Sequence, residues 1–266
     1  MRQRYIAKVP LWLESPEAMQ GPIAEVLAGE YEAGFSGEGL TILDIGANVG
    51  AFSLWADMRW PGSTIHAYEP HPETFRLFQR NVAGRGNITG RNVALSAAGG
   101  GQGRLVASYA GDGEAMLSEY REGTFNKAYG GEELTVDLMH PAELPPADVV
   151  KLDVEGAEAD IIEAMDLAPT SLVVLEYQND RNRDRILRLM EGRFSLIRQD
   201  AHPWRDLFAS QPAYNRALHG DHWGHLVFFN DDSSLARLTR DPPPASVSQR
   251  SRVRALARRL KRLVGV

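Results

Sequence analysis

Short apolar runs alternate along the chain with segments in which apolar residues recur every three or four positions. The runs predict β-strands, and the spaced segments predict amphipathic helices. Strands and helices that follow each other in this order are typical of an α/β domain with a largely parallel sheet. The predicted strands of the main sheet are residues 40–45, 64–69, 87–96, 148–154, 171–176, 194–199 and 226–229.

A glycine turn follows the first predicted strand. Residues 44–50 read Asp-Ile-Gly-Ala-Asn-Val-Gly, and a helical segment begins directly behind them. Gly46 and Gly50 lack a Cβ atom, so the backbone can turn sharply and approach a ligand closely. Asn48 is one of the few other residues that tolerate a positive φ angle. A strand, a glycine turn and a helix in this order bind nucleotide-like ligands in doubly wound α/β domains.

Glu69 ends the second predicted strand, 19 residues beyond Gly50. A carboxylate at this position commonly accepts hydrogen bonds from the ribose hydroxyls of a nucleoside. An acid, Asp44, also precedes the glycine turn, and the third glycine of a dinucleotide-binding turn is absent. A negative charge there would repel a pyrophosphate and favour a cationic sulfonium ligand. We therefore expect S-adenosylmethionine rather than a dinucleotide.

A second acidic group follows the strand 148–154. Asp153, Glu155 and Glu158 lie within six residues at its carboxyl end, the edge at which open α/β sheets bind ligands. Lys151 lies inside the same strand, where a buried ammonium group is costly without a partner. Glu176, at the end of the next strand, is an available carboxylate for Lys151.

Several of these motifs together resemble the FkbM-type S-adenosylmethionine-dependent methyltransferases. The resemblance covers roughly residues 25–230 and includes residues 29–32, 44–50, 68–70, 92–96 and 151–158. It implies a Rossmann-like class I methyltransferase fold, with a seven-stranded, mostly parallel sheet and helices on both faces. It also implies methyl transfer, usually to a hydroxyl group, with a small molecule, sugar, glycan or natural product as acceptor.

We assign roles to the residues of these motifs on that basis. Asp44, Gly46, Asn48 and Gly50 are expected at the methionine end of the cofactor, Glu69 at the ribose, and Asn92 and Ala94 beside the adenine. Asp153, which also borders the cofactor, and Glu155 are expected at the methyl-transfer centre as base or substrate clamp. Alternatively, Asp153, Glu155 and Glu176 are ligands of a divalent cation.

The segment 200–225 is rich in histidine and tryptophan and predicts a loop of the acceptor pocket. His219 or His222 is the alternative general base. Trp204 or Trp223 would give a sugar acceptor a surface on which to stack. A metal site made of the histidines spaced by three is disfavoured, because Gly220 and Gly224 oppose the helix that would bring them together.

Charge and composition restrict the partners. The 266-residue chain has a net charge of −6 and no cysteine, which excludes disulfides and thiol catalysis. Seven Lys and Arg residues lie after residue 245, so the rest of the chain carries a net charge of −13, and no nucleic-acid partner is expected. The N-terminus lacks an apolar signal core, so we expect a cytoplasmic protein.

We predict three segments: a helical N-terminal lead-in at 1–39, with a helix near 16–28, the methyltransferase domain at 40–232, and a linker with a basic amphipathic tail at 233–266. The tail is a candidate for peripheral contact with an anionic membrane surface or a protein. Homo-oligomerisation stays open. Residues 109–134 are predicted to be a polar loop or lid.

Three other readings of the chain are less well supported by its residues. An NAD-dependent enzyme would need a third glycine and a Tyr-x-x-x-Lys pair, and neither is found. N-methylation of a small molecule, or of a nucleic acid through the basic tail, is the alternative reaction, although Pro145-Pro146 does not match the motif of base N-methyltransferases. A non-catalytic cofactor-binding scaffold would bind the cofactor without turnover.

Overall fold

The computed structural model of the chain describes residues 2–6, 9–13, 15, 20–108, 115–120, 131–203, 222–232 and 237–242. The helices are α1 (Gln20–Leu27), α2 (Ala51–Arg59), α3 (Pro72–Asn81), α4 (Glu158–Ala164) and α5 (Asp180–Met190). The strands are β1 (Arg2–Ile6), β2 (Val9–Leu13), β3 (Phe35–Gly37), β4 (Thr41–Ile45), β5 (Thr64–Tyr68), β6 (Ile88–Arg91), β7 (Ala94–Leu95), β8 (Gly101–Ser108), β9 (Ala115–Leu117), β10 (Gly131–Met139), β11 (Val149–Leu152), β12 (Leu172–Tyr177), β13 (Ser195–Gln199), β14 (His202–Pro203), β15 (His222–Phe229) and β16 (Leu238–Arg240).

The main sheet is mixed, with the order β13-β15-β12-β11-β4-β5-β6 and the short strand β14 beside β15. The five strands from β12 to β6 are parallel, β15 runs antiparallel to β12, and β13 runs antiparallel to β15. All seven predicted strands are present in this path, with somewhat different ends. The result is an α/β fold in which one reversed strand, β15, separates β13 from the parallel strands.

Helices cover the sheet on both faces. Side chains of α2, such as Leu54, pack with Val149 and Val174 in one core, and Ile161 of α4 packs with Val150 and Leu152 in the other. Neighbouring residues of β11 therefore face opposite cores, as the period of two in a strand requires.

The register of the parallel strands determines which loops meet. Ile45 pairs with Tyr68 on one side and with Leu152 on the other, so the three strands end at the same level. The chain runs outward from β4 to β6 and then returns to β11 on the other side of β4. This change of direction opens a crevice at the carboxyl edge, where α/β sheets bind ligands.

The strand predicted at 87–96 is in fact two strands. Residues 88–91 belong to the main sheet, whereas β7 joins a second sheet with the order β7-β10-β8-β9. The side chain of Asn92 interrupts the run, because its Nδ2 donates hydrogen bonds to the carbonyl oxygens of Glu69 (2.8 Å) and Pro70 (2.9 Å). The prediction of one continuous strand was wrong for this reason.

Both ends of the described chain contain strands that we did not predict. The lead-in has the antiparallel hairpin β1–β2 before α1, so it is not helical throughout. In the predicted linker, β16 pairs with β3, and Arg237 Nη1 donates to Asp148 Oδ2 at 2.9 Å. The basic tail and most of the predicted lid lie outside the described residues. None of the described helices has the length and apolar content needed to cross a bilayer.

Candidate cofactor site and active site

The glycine turn adopts the backbone conformation that its sequence predicts. Gly46, Asn48 and Gly50 have φ angles of 78°, 49° and 91°, all in the left-handed region. A Cβ atom on Gly46 would lie 1.7 Å from the carbonyl oxygen of Asp153, so no other residue fits there. The Asn48 side chain accepts a hydrogen bond from the Val49 amide at 2.7 Å and stabilises the turn.

Glu69 lies against this turn, as predicted. Its Oε2 accepts a hydrogen bond from the Asn48 amide at 2.9 Å, and its Oε1 accepts one from the His71 amide at 2.8 Å. The side chain is buried, and burial raises the pKa of Glu69 to about 7 although both amides oppose the shift. Each carboxylate oxygen keeps acceptor capacity that two ribose hydroxyls can use.

A cleft with an empty volume of about 630 Å³, part of it open to solvent, runs along this edge of the sheet. Its lining brings together six of the predicted site residues, namely Gly46, Asn48, Glu69, Ala94, Asp153 and Glu155. Apolar side chains, including Val93, Leu95 and Leu117, form one wall, which suits a flat adenine ring. A polar floor and an apolar wall of this kind fit an adenosyl ligand.

Asn92 and Gly50 do not line the cleft but shape it. Asn92 ties down the backbone of Glu69 and Pro70, so its predicted place beside the adenine becomes a supporting position. Gly50 stands at the start of α2, where a Cβ atom would lie 3.0 Å from the Phe78 ring. Both residues therefore position the turn and the Glu69 loop rather than contact the cleft.

Asp44 lies beneath the turn and is fully buried. Its Oδ2 accepts a hydrogen bond from Ser53 Oγ at 2.6 Å, and its Oδ1 lies 3.5 Å from Lys151 Nζ. Burial raises the pKa of Asp44, and the Lys151 charge opposes the shift. Asp44 is absent from the cleft lining, so it lies beneath the turn, and its assignment to the methionine end stays a prediction.

Lys151 holds the turn and Asp153 together. Its Nζ donates to the Gly46 carbonyl oxygen at 2.6 Å and lies 3.4 Å from Asp153 Oδ2. Burial alone would lower the pKa of Lys151, but Asp153 and Asp44 outweigh it and raise the pKa, so the ammonium group stays charged. The expectation that Glu176 would pair with Lys151 was wrong, because the register places Asp44 directly opposite Lys151.

Tyr31, for which the sequence predicted no role of its own, contacts both Asp153 and Lys151. It is buried, and its hydroxyl donates a hydrogen bond to Asp153 Oδ2 at 3.1 Å. Its ring lies 5.7 Å from Lys151 Nζ, close enough for a cation–π interaction. The signal available in the sequence was its place in the lead-in motif at 29–32, which precedes the first strand.

The acids after β11 divide into two groups. Asp153 and Glu155 line the cleft, and Glu155 has a φ angle of 57°. Glu158 is instead fully buried, where it accepts hydrogen bonds from the amides of Val154 (3.2 Å) and Gly156 (3.0 Å). Burial raises the pKa of Glu158 to about 7 against the effect of these amides. Glu158 therefore folds the loop and presents no carboxylate to a ligand.

The histidine-rich segment is not a loop throughout, because His222 and His225 belong to β15. Residues three apart in a strand face opposite sides of the sheet. His222 Nδ1 lies 2.9 Å from Asp180 Oδ2, and His222 is absent from the cleft lining. His219 and Trp204, predicted respectively as a base and as a stacking surface, lie outside the described residues.

His225 lies in a buried carboxylate cluster. Its Nδ1 is 3.1 Å from Asp200 Oδ1, and its Nε2 is 3.1 Å from Glu30 Oε1 and 3.4 Å from Glu176 Oε2. Burial lowers the pKa of His225, but Asp200, Glu176 and Glu30 outweigh burial and raise it to about 12. Burial and the nearby Asp153 charge raise the pKa of Glu176 to about 7.

The predicted metal set of Asp153, Glu155 and Glu176 is not brought together. Among the described residues, the side chains that could bind a metal ion together with Glu176 are those of Glu30 and His225. Asp153 is instead held by Tyr31 and Lys151. Glu176 lies on β12, one strand farther from the cofactor cleft, which explains the separation.

The α/β fold and the cleft at the carboxyl edge of its sheet are those of a domain that binds an adenosyl ligand. The methyltransferase FkbM domain matches residues 44–212, more than half of the chain. The chain therefore belongs to the FkbM methyltransferase family, and the resemblance found in its motifs is confirmed.

Curated relatives support this assignment. Methyltransferase 1 of Beauveria bassiana is 32% identical over 47% of this chain and 58% of its own length. The 31-O-demethyl-FK506 methyltransferase FkbM of Streptomyces tacrolimicus is 29% identical over 54% of this chain and 58% of its own length. The hexuronic acid methyltransferase AglP of Haloferax volcanii is 28% identical over 50% of this chain and 54% of its own length. The chain thus spans little more than half of each of these relatives.

Proposed function

We propose that the protein transfers a methyl group from S-adenosylmethionine to a hydroxyl oxygen of a small molecule, a sugar or glycan, or a natural product. The observation that carries this proposal is the position of Asp153, which lines the cofactor cleft beside Gly46 with its carboxylate held by Lys151 and Tyr31. A fixed carboxylate at the edge of a cofactor cleft is suited to orient an acceptor hydroxyl. The names of two relatives, a 31-O-demethyl-FK506 and a hexuronic acid methyltransferase, support oxygen-rich acceptors.

The sulfonium cofactor supplies an already activated methyl group, so the chain must position the acceptor and accept its proton. Glu69 would hold the ribose, and the turn at 46–50 would hold the methionine part. Asp153 Oδ2 is occupied by Tyr31 and Lys151, so Oδ1 is the oxygen available to the acceptor hydroxyl. Oδ1 would accept the hydroxyl hydrogen bond and then its proton, while the methyl group would pass from sulfur to the acceptor oxygen and S-adenosylhomocysteine would leave.

Two other residues are alternative bases. Glu155 lines the same cleft, and His222 Nδ1 lies 2.9 Å from Asp180 Oδ2, a contact that orients the imidazole ring. Replacement by the amide isosteres separates these roles. Asp153→Asn is expected to reduce kcat by at least about 100-fold, the usual contribution of a general base, whereas Glu155→Gln and His222→Gln retain most of the activity.

The test uses labelled S-adenosylmethionine and a panel of polyols, uronic acids, macrolides and matched amines. Transfer to hydroxyl acceptors, with the methylated position located by NMR, supports the proposal. Transfer to the amines alone would replace it with N-methylation. Full activity of Asp153→Asn, with S-adenosylhomocysteine binding unchanged, would assign the base to another residue.

We also predict that the protein has no nucleic-acid partner and a cytoplasmic location, and that its basic tail contacts an anionic membrane surface or a protein. Homo-oligomerisation stays open.

A further inference from the structure

Three side chains that commonly bind metals meet outside the cofactor cleft. One ligand atom of each of Glu30, Glu176 and His225 lies within 4.8 Å of the other two. Glu30 precedes β3 in the chain, whereas the antiparallel register of β12 and β15 places Glu176 directly opposite His225. The group is therefore built by tertiary structure and not by a local acidic loop.

The Nε2 atom of His225 gives an independent indication of a ligand. The His225 side chain is only 8% exposed, and Nε2 lies between the two carboxylates at 3.1 and 3.4 Å. Despite these distances, Nε2 makes no well-directed hydrogen bond to any described residue. Glu30 and Glu176 balance the charge of the ring without a directed hydrogen bond, so an ion in front of Nε2 would give all three side chains one partner.

Asp200 holds the imidazole from the other side. Its Oδ1 lies 3.1 Å from His225 Nδ1 and accepts the His225 backbone amide at 2.9 Å. Metal-binding histidines commonly donate their second ring N–H to a carboxylate, which fixes the ring and directs the free nitrogen to the ion. Glu30 and Glu176 keep side-chain exposures of 16% and 18%, so the group can be reached from solvent.

We propose that Glu30, Glu176 and His225 bind a divalent transition-metal ion such as Mn²⁺. Two carboxylates and one imidazole favour such an ion over Mg²⁺, which prefers oxygen ligands alone. Three protein ligands leave further coordination positions for water or for oxygens of another molecule. The competing arrangement keeps the imidazole protonated as the counter-ion of the carboxylates, with no ion bound.

Tyr31 connects this group with the active site. Its ring centroid is 5.8 Å from that of His225, and its hydroxyl donates to Asp153. An ion at Glu176 would lie one strand away from Asp153, on the side of the sheet edge that remains for the acceptor. We infer that the ion binds acceptor oxygens, and this second step rests on the proposed function.

The test is a Mn²⁺ titration of the metal-stripped full chain without cofactor or acceptor, followed by the EPR signal of free Mn²⁺ and by calorimetry. We expect one saturable site per chain. Glu30→Gln, Glu176→Gln and His225→Gln should each weaken binding more than about tenfold, and Asp200→Asn by about 10- to 100-fold. Glu25→Gln is the matched control, since Glu25 interacts electrostatically with Glu30 and His225 but is not part of the group.

Binding of S-adenosylhomocysteine to each variant shows that it is folded, and the partly exposed Glu30 provides the test if His225→Gln fails to fold. Absence of saturable Mn²⁺ binding to the wild type, or equal binding by all three ligand variants, would overturn the metal site. Mn²⁺ binding without methyl transfer to any acceptor would leave the metal site standing and remove the proposed function. Methyl transfer without Mn²⁺ binding would support the proposed function and remove the metal site.

Discussion

At the scale of single residues, Glu69, the carboxylate that we predict to bind the ribose, has backbone amides as its hydrogen-bond partners. Glu69 is held by the amides of Asn48 and His71, so it has little freedom to move before a ligand arrives. Preorganisation of this kind reduces the entropy lost on binding. Asp44, which has the same charge, is instead paired internally with Lys151 and Ser53.

Glu69→Gln is expected to weaken S-adenosylhomocysteine binding by roughly 10- to 100-fold, since hydrogen bonds to a charged group contribute about 1.5–3 kcal/mol. Calorimetry measures the change. Glu73→Gln is the control, because Glu73 is in the same loop–helix region but is exposed and pairs with Arg76. Equal losses in both variants would remove the ribose role of Glu69.

The raised pKa of Glu69 predicts that cofactor affinity depends on pH. The ionised carboxylate accepts ribose hydrogen bonds, and the proportion of this form increases as pH rises through about 7. Affinity for S-adenosylhomocysteine should therefore increase between pH 5.5 and 8 and then level off. The pKa values of Glu158 and Glu176 are also raised to about 7, so the wild-type profile alone does not identify Glu69. The affinity of Glu69→Gln for S-adenosylhomocysteine should change less with pH than that of the wild type.

At the scale of secondary-structure elements, the loop between β11 and α4 is held by Glu158, the first residue of α4. Glu158 accepts hydrogen bonds from two loop amides and from Asn182 Nδ2 of α5. This carboxylate thereby ties the loop that carries Asp153 and Glu155 to two helices. The amides of Val154 and Gly156 thereby have a buried acceptor, which stabilises the loop where it meets the cleft.

Glu158→Ala should lower the free energy of unfolding by about 2–4 kcal/mol, because it leaves buried donors without acceptors. Urea denaturation measures this change. Glu163→Ala on the same helix is the control and should cost less than about 1 kcal/mol, since Glu163 is exposed and pairs with Arg185 on the surface. A loss of similar size in both variants would contradict the role of Glu158 in holding the loop.

At the scale of the whole molecule, the compact fold extends beyond the boundary that the sequence predicted at residue 232. Leu238 is buried in the core beside β3. Asp241 accepts hydrogen bonds from Ser36 and from Arg59, at 2.5 Å each. Residues 237–241 therefore secure the segment that leads from α1 to β4.

Two truncations test this extension. A chain ending at residue 242 keeps every described contact and is the reference. A chain ending at residue 232 should be less stable by about 2–4 kcal/mol, since it loses a buried leucine and a strand pairing. Equal stability of the two truncated chains would show that β16 contributes nothing to the fold.

Local patterns in the sequence were sufficient to predict the strands of the main sheet, the glycine turn and the position of Glu69. These features depend on the period of apolar residues and on the φ angles that glycine and asparagine tolerate, which neighbouring residues determine. The partners of Lys151, the role of Tyr31 and the separation of Glu176 from Asp153 were decided only by tertiary structure. They depend on which strands lie side by side and in which register, and that arrangement joins residues more than a hundred positions apart, such as Tyr31 and Asp153.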